Sequence, residues 1–192
     1  MKVAILIRHG ESEANTRNVI SEDLYGYPLT KNGRDQAKHT AMQLQGIPVD
    51  NLITSPIQRT METAEIISRI VNVEPKADDR IRESGLGSFN NKRVESLPKA
   101  MRSDLGMESW ESHQNRFRDV FSEVNGIWVM VSHALPIRAA VCSFLDIDEI
   151  ESFGVEIRNA SMSVIDLENS RVLSIGSLLL SKRIWSSMGS RN

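Results

Sequence analysis

The chain has 192 residues, 40% of them hydrophobic, and a formal net charge of −2. That length suits one domain with a real core, and the basic residues are scattered, without the stripe or tail that a nucleic-acid partner requires. The single cysteine excludes an internal disulfide and suits a reducing, cytoplasmic setting, and no run approaches the roughly 20 apolar residues of a membrane span.

The first element is Lys2-Val3-Ala4-Ile5-Leu6-Ile7, with the length and β-branched content of a buried strand over 3–8. It is too short for a secretory signal. It runs into Arg8-His9-Gly10-Glu11-Ser12, where a glycine turn leads to a short helix between Ser12 and Arg17. Helix N-termini favour anions, so an imidazole beside a guanidinium at this turn points to phosphate chemistry. Thr30 caps a helix over 31–45, with Ala37, Ala41 and Leu44 on one face. A strand over 51–55 follows. Ser55-Pro56-Ile57-Gln58 reads as a helix start, with Ser55 as cap, Pro56 as first helical residue and Gln58 completing a capping box. That helix runs through Met61, Ala64 and Ile67 toward Val71, and Val71-Asn72-Val73-Glu74 reads as a further short strand.

Residues 80–108 are irregular and read as an excursion over the active site. A helix over 109–124 carries Trp110, Phe117, Val120, Phe121 and Val124 as its apolar residues. A strand over 127–132 precedes a helix that begins at Pro136 and passes through Ala140 to Leu145. Cys142 in that helix reads as a small buried hydrophobe. Strands over 161–167 and 171–177 are close enough for a hairpin. Strands alternating with helices predict a single domain over 1–192. Its class is α/β: a three-layer α/β/α sandwich around a mostly parallel sheet, with an antiparallel edge strand. The terminal stretch 181–188 reads as a tail, a docking element or a subunit contact, with Ile184 and Trp185 suggesting burial.

Three strand-to-helix junctions carry unusual polar residues: Arg8 and His9, then Arg59, then His133 after Trp128-Val129-Met130-Val131-Ser132. Ligands of open parallel sheets bind outside the carboxyl ends of the strands, so these four residues converge if the strands are parallel. Neighbours on a strand point to opposite faces. Arg8 and His9 therefore share a ligand only if the strand ends between them. Arginine forks suit phosphoryl oxygens, a neutral imidazole is a competent nucleophile, and nearby guanidinium groups disfavour imidazolium. A second histidine can hold oxygens that gain charge. Glu83, in the glycine-loosened Arg80-Ile81-Arg82-Glu83-Ser84-Gly85-Leu86-Gly87, is the candidate proton donor. Arg59 sits in the first turn of its helix, a poor place for a cation unless an anionic ligand compensates. His39 and His113 read as structural. Ser21 and Arg82 are candidate substrate contacts, although loop polarity and an exposed ion pair explain them equally well.

These residues resemble the histidine phosphatase superfamily, the phosphoglycerate mutase-like enzymes. Arg8-His9-Gly10-Glu11-Ser12-Glu13-Ala14-Asn15 looks like the opening signature of that family. Pro28-Leu29-Thr30, Gly33 and Gln36-Ala37 look like its next block, and Thr54-Ser55-Pro56-Ile57-Gln58-Arg59-Thr60 with Thr63-Ala64 like the block holding the second arginine. Glu83 falls at the family's proton donor and Val131-Ser132-His133 at its second histidine. The resemblance implies a phosphohistidine on His9 and a phosphate pocket of Arg8, Asn15, Arg59 and His133. It implies Glu83 as general acid and then base, with no metal and no cofactor.

The chain departs from the pattern at Ala134, where many members have glycine, and at Asn90-Asn91, where a Glu-Gly pair is common. It lacks the longer central insertion of the cofactor-dependent mutases, and Leu86 stands where they carry tyrosine. The expected activity is therefore a metal-independent phosphomonoesterase acting on a small phosphorylated substrate, with phosphoproteins still open. A phosphoglycerate mutase-type phosphotransferase, an isomerase by class, is the alternative. A non-catalytic phospho-ligand binding module is the third reading. A metal-dependent hydrolase lacks support, since no acidic cluster or His-x-x-x-His spacing is present. Nucleic-acid and membrane partners are not expected, and substrate identity and oligomeric state are not legible.

Overall fold

In the computed structural model, which describes residues 1–98 and 100–189, the first apolar run forms strand β1 (Lys2–Arg8) inside a six-stranded sheet. The other strands are β2 (Asn51–Thr54), β3 (Pro75–Ala77), β4 (Gly126–Ser132), β5 (Met162–Asp166) and β6 (Arg171–Ser177). Their order is β3-β2-β4-β1-β5-β6. The first four in that order run parallel, while β5 pairs antiparallel with both β1 and β6. The sheet is mostly parallel with an antiparallel edge, as the sequence predicts, the hairpin of β5 and β6 forming that edge. β5 returns beside β1, and the hairpin partner β6 becomes the edge.

β1 must be apolar on both sides because both faces are covered. Val3, Ile5 and Ile7 face one cluster and Ala4 and Leu6 the other. The first face is covered by α2 (Lys31–Gln43), α3 (Gln58–Val71) and α6 (Lys182–Gly189), through Ala41, Ala64, Ile67 and Met188. The second is covered by α4 (Trp110–Glu123) and α5 (Ala134–Cys142), through Phe117, Val120, Ile137 and Ala140. A one-turn helix α1 (Glu13–Thr16) follows the β1 turn. The arrangement is the expected α/β/α sandwich.

Several local readings shift. Thr30 caps α2 by accepting from the Gly33 N–H at 3.0 Å. Ser55 does not cap α3, which starts at Gln58 with Ile57 in the cap position. The Gln58 N–H is instead satisfied by the Leu24 carbonyl at 2.8 Å, so a loop does the work assigned to the serine. Val71 still belongs to α3, and Asn72 closes it at φ 56°. Asparagine tolerates this left-handed cap, and the strand moves to Pro75–Ala77. α5 begins at Ala134 rather than Pro136 and ends at Cys142. Pro136 then lies in the first turn, where a missing N–H costs nothing. The 181–188 stretch is an element of the fold: Ile184 and Met188 of α6 pack on the first cluster, and the Trp185 ring lies against Gly46. Residues 190–192 of the chain lie outside the described residues.

Residues 80–108 hold 3-10 turns at Gly87–Phe89, Val94–Ser96 and Ser103–Leu105. They are zipped to the loop after α1. Asn91 N–H donates to Ile20 O, Val94 N–H to Asn18 O, and Ile20 N–H to Lys92 O at 2.9–3.0 Å. The Asp23 carboxylate accepts from both Asn90 and Asn91 at 2.7 Å. Among the described residues no helix is long and apolar enough to cross a membrane.

Candidate active site

Because β1, β2 and β4 run parallel, their carboxyl ends open on the same side of the sheet, where ligands of such sheets bind. Arg8 and His9 share that side because the strand ends between them. Arg8 is the last paired residue, opposite Ser132. The His9 N–H still donates to Ser132 O at 3.0 Å, and its carbonyl accepts from the Ala160 N–H and the Asn159 amide at 3.1 and 3.2 Å. The turn then passes through Gly10, whose N–H donates to Thr63 Oγ1 at 3.2 Å. A Cβ on Gly10 would lie 2.3 Å from the Gly33 carbonyl oxygen, and one on Gly33 1.9 Å from that of Glu11. Gly33 weakens α2 by roughly 1 kcal/mol relative to alanine, and in exchange the two backbones interlock and fix the turn that carries His9.

His9 Nδ1 lies 2.7 Å from Gly10 O. A carbonyl only accepts, so Nδ1 holds the proton and Nε2 keeps its lone pair. Arg59 Nε–H donates toward that lone pair at 3.2 Å, and Arg59 Nη2 donates to Ser21 O at 2.8 Å. Arg59 Nη2 is also 3.2 Å from His133 Nδ1 and 3.5 Å from Glu83 Oε2. A guanidinium only donates, so His133 Nδ1 accepts and its Nε2–H faces Ser55 Oγ at 2.9 Å. Glu83 Oε2 is 3.5 Å from His133 Nδ1, and Glu83 Oε1 accepts from the Ser84 N–H at 2.9 Å. The two imidazole rings meet edge to face, 5.2 Å apart.

Burial, reinforced by the guanidinium groups of Arg59 and Arg8, holds His9 well below the ordinary histidine range. His133 is lowered by burial and then by Arg59. Both are neutral at physiological pH. Burial lowers Arg8 to about 10 against the opposing pull of Glu83, which leaves the guanidinium charged. Arg8 Nε and Arg59 Nη1 are buried and have no hydrogen-bond partner. Unpaired buried donors are costly, and two charged ones beside a neutral imidazole make a cradle for an anion.

The pocket so formed has a volume of about 280 Å³. Arg8, His9, Arg59, Glu83, Asn15 and Ser21 line it. Asn15 Oδ1 is taken up by the Ser12 N–H, the Ser12 hydroxyl and the Asn159 amide, which leaves the Asn15 NH₂ to present to the pocket. Val19, Ile20, Val94, Ala14, Asn18 and Ala134 complete the wall. His133 is fully buried beneath Arg59 and is not part of the wall in this ligand-free arrangement. Arg82 is exposed and lies outside the pocket. Ser55, which the sequence offers as a helix cap, and Asn159, which no motif marks, position the two histidines. No group of three or more His, Cys, Asp or Glu among the described residues could hold a metal ion.

Buried neutral histidines make a prediction about stability. His113, on the buried face of α4, is lowered by burial from 6.5 to about 4, against the opposing charge of Glu108. Its folded pKa lies below its unfolded one, as for His9 and His133. Between the two values the unfolded chain binds more protons, so stability rises with pH. Urea unfolding is expected to show stability falling as pH drops from 6.5 toward 4, by on the order of 3 kcal/mol from His113 alone. A flat profile across that window would show that these imidazoles are not held neutral.

The profile of the histidine phosphatase superfamily (branch 1) matches residues 4–175. The chain is 39% identical over 193 residues to the 2,3-bisphosphoglycerate-dependent phosphoglycerate mutase of Thermoplasma acidophilum, covering 96% of each. It is 34% identical over 187 residues to phosphoserine phosphatase 1 of Hydrogenobacter thermophilus, covering 87% of each. A solved structure of an Entamoeba histolytica phosphoserine phosphatase variant with phosphoserine shares the fold, with a TM-score of 0.78 at 23% identity, over 93% of this chain and 98% of that one. With its family profile spanning most of the chain and relatives aligned almost end to end, this protein belongs to the histidine phosphatase superfamily, branch 1.

Proposed function

We propose that this enzyme is a metal-independent phosphomonoesterase that works through a phosphohistidine on His9. The observation that carries the reading is the His9 Nε2 lone pair beside two buried guanidinium N–H groups, on Arg8 and Arg59, that have no protein acceptor. Arg8, Arg59 and the Asn15 amide hold the phosphoryl oxygens and supply the positive charge the transferring group requires. His9 Nε2 attacks phosphorus, the bond from phosphorus to the ester oxygen breaks, and protonated Glu83 gives its proton to the departing alcohol. The Glu83 carboxylate then takes a proton from water, which attacks the phosphohistidine and releases inorganic phosphate with His9 restored. Ser55 Oγ can donate as well as accept, so His133 can change tautomer and offer Nδ1–H to an oxygen as it gains charge. Ser21 contributes its carbonyl to Arg59 and a place on the wall. Arg82 is left without a substrate role. The whole chain acts as one catalytic domain, with 80–108 bringing Glu83 over the site, and its one buried cysteine, Cys142, suits the cytoplasm.

Beyond the phosphate, the wall holds Val19, Ile20 and Val94 and, among the described residues, no cation other than Arg8 and Arg59. A second acidic group on the substrate finds no counter-charge there, which favours hydrolysis of simple monoesters over phosphoglycerate transfer. The mutase reading keeps the same chemistry with a bound hydroxyl as acceptor, and the 39% identity to the Thermoplasma enzyme favours it. The test is hydrolysis of para-nitrophenyl phosphate, and conversion of 3-phosphoglycerate, in excess EDTA. Phosphate release unaffected by chelator, without interconversion of phosphoglycerates, is the expected result. Interconversion faster than phosphate release establishes the mutase, and loss of activity to EDTA overturns the metal-free mechanism.

A further inference from the structure

We propose that Glu108, locked to Arg116, is the positioning residue that aims the Glu83 carboxyl at the leaving oxygen. This rests on the assignment of Glu83 as proton donor. Glu83 lies on a stretch without regular structure, between the 3-10 turn Asp79–Ile81 and the one at Gly87. The hydrogen bond its side chain makes there, from the Ser84 N–H, is local and does not anchor the loop. What anchors the loop comes from further along the chain. The Glu108 carboxylate accepts from the Gly85 N–H at 2.9 Å, and the Glu108 N–H donates to the Gly85 carbonyl at 2.8 Å. The same carboxylate takes both forks of Arg116, Nε at 2.7 Å and Nη2 at 2.9 Å, together with the Ser112 hydroxyl at 2.7 Å. Arg116 Nη1 then reaches across Glu83 to the carbonyls of Arg80 at 2.5 Å and Arg82 at 3.3 Å. Backbone groups on both sides of Glu83 are thus held by one bidentate pair.

The ends of this clamp are themselves tied. Arg102 donates to Ser84 Oγ and to Glu108 O, and Glu22 accepts from the Leu86 N–H at 2.8 Å. The Glu108 side chain is 13% exposed and that of Arg116 18%. Charges so far from solvent are expensive unless fully paired, and here the pairing is complete and aimed at loop backbone. A hydrophobic pair of the same volume would fill the space without fixing Gly85 or the Arg82 carbonyl. Neither Glu108 nor Arg116 lines the pocket, so neither touches substrate.

Positioning an acid and merely stabilising a loop separate by leaving group. An aryl phosphate releases a weakly basic phenolate that departs without a proton, whereas an alkyl phosphate needs one. A misplacement near 1 Å costs on the order of 10²-fold. For Glu108→Gln, the expected result is a 10- to 100-fold fall in kcat/KM on glycerol 2-phosphate, with kcat/KM on para-nitrophenyl phosphate unchanged, since kcat/KM reports the steps through phosphoryl transfer to His9 and not the later attack of water. Arg116→Gln should show the same split and serves if the first variant folds poorly. In a Glu83→Gln background, where the proton donor is already lost, adding Glu108→Gln should cost nothing more, since residues acting as a unit are not additive. Equal losses on both esters, or additive losses in the double variant, would overturn the positioning role. If Glu83→Gln alone lowers kcat/KM on both esters equally, the acid assignment fails and the proposal falls with it.

Discussion

Replacing His9 by alanine is expected to lower kcat by on the order of 10⁴- to 10⁶-fold on any phosphomonoester, since nucleophile and base deletions in enzymes that pass through a covalent intermediate fall in that range. The substitution removes the imidazole nitrogen that presents its lone pair at the pocket, Nε2, the proton being fixed on Nδ1 by Gly10 O at 2.7 Å. It leaves the cradle in place. Arg8 Nε and Arg59 Nη1 are held by other contacts, Arg8 through Ile157 O at 2.8 Å and Arg59 through Ser21 O at 2.8 Å. Inorganic phosphate should therefore still bind to the dead variant. Acid-labile, alkali-stable phosphate should be trapped on the wild type during turnover and be absent from His9→Ala. A variant that keeps more than a small fraction of its activity would mean that water attacks the ester directly and that the imidazole only orients it.

The parts of the site that sequence makes legible are those whose neighbours are close in sequence. Arg8, His9 and His133 stand at the ends of buried strands, and a polar residue ending an apolar run is conspicuous. Arg59 is visible as a cation in the first turn of a helix, where the dipole disfavours it. Parallel pairing of β1, β2 and β4 then gathers them. Illegible parts depend on partners distant in the chain. Ser55 has the appearance of a helix cap, yet its hydroxyl faces His133 at 2.9 Å, and no local pattern separates the two roles. Glu108 lies in an irregular stretch, and its contact with Gly85 follows only from how the loop folds back. Asn159 precedes β5 with nothing to distinguish it from any loop asparagine, although it holds both the His9 carbonyl and Asn15. The internal position of β5 is hidden for the same reason: a hairpin specifies how β5 and β6 pair, not which of them lies against β1.

Arg59→Met is expected to lose about 10³-fold in kcat/KM, in line with removal of a preorganised transition-state donor, while the ligand-free variant unfolds no earlier than the wild type. The two halves have one cause. The guanidinium is 3% exposed, sits in the first turn of α3, and leaves Nη1 without an acceptor. Its nearest carboxylate oxygen, on Glu83, is 3.5 Å away. A cation there is disfavoured by burial and by the helix dipole, and a methionine of similar bulk removes that cost at the expense of the bonds to Ser21 O, His9 Nε2 and His133 Nδ1 and of the ion pair with Glu83. Glu83 keeps partial access to water, with its side chain 19% exposed, so it is not stranded. With Arg59 gone, His9 and His133 titrate closer to the ordinary histidine value, because after burial the Arg59 charge is what lowers each most. Phosphate separates function from stability. At 100 times its Kd a ligand adds about 2.7 kcal/mol to the folded state, so phosphate should raise the wild-type Tm clearly and that of Arg59→Met hardly at all. A variant several kcal/mol less stable without ligand would instead make Arg59 a structural keystone of the β2–α3 junction. Anion recognition would then be secondary to its packing, whereas a stable variant that ignores phosphate identifies Arg59 as a charge kept in an unfavourable place for the sake of its ligand.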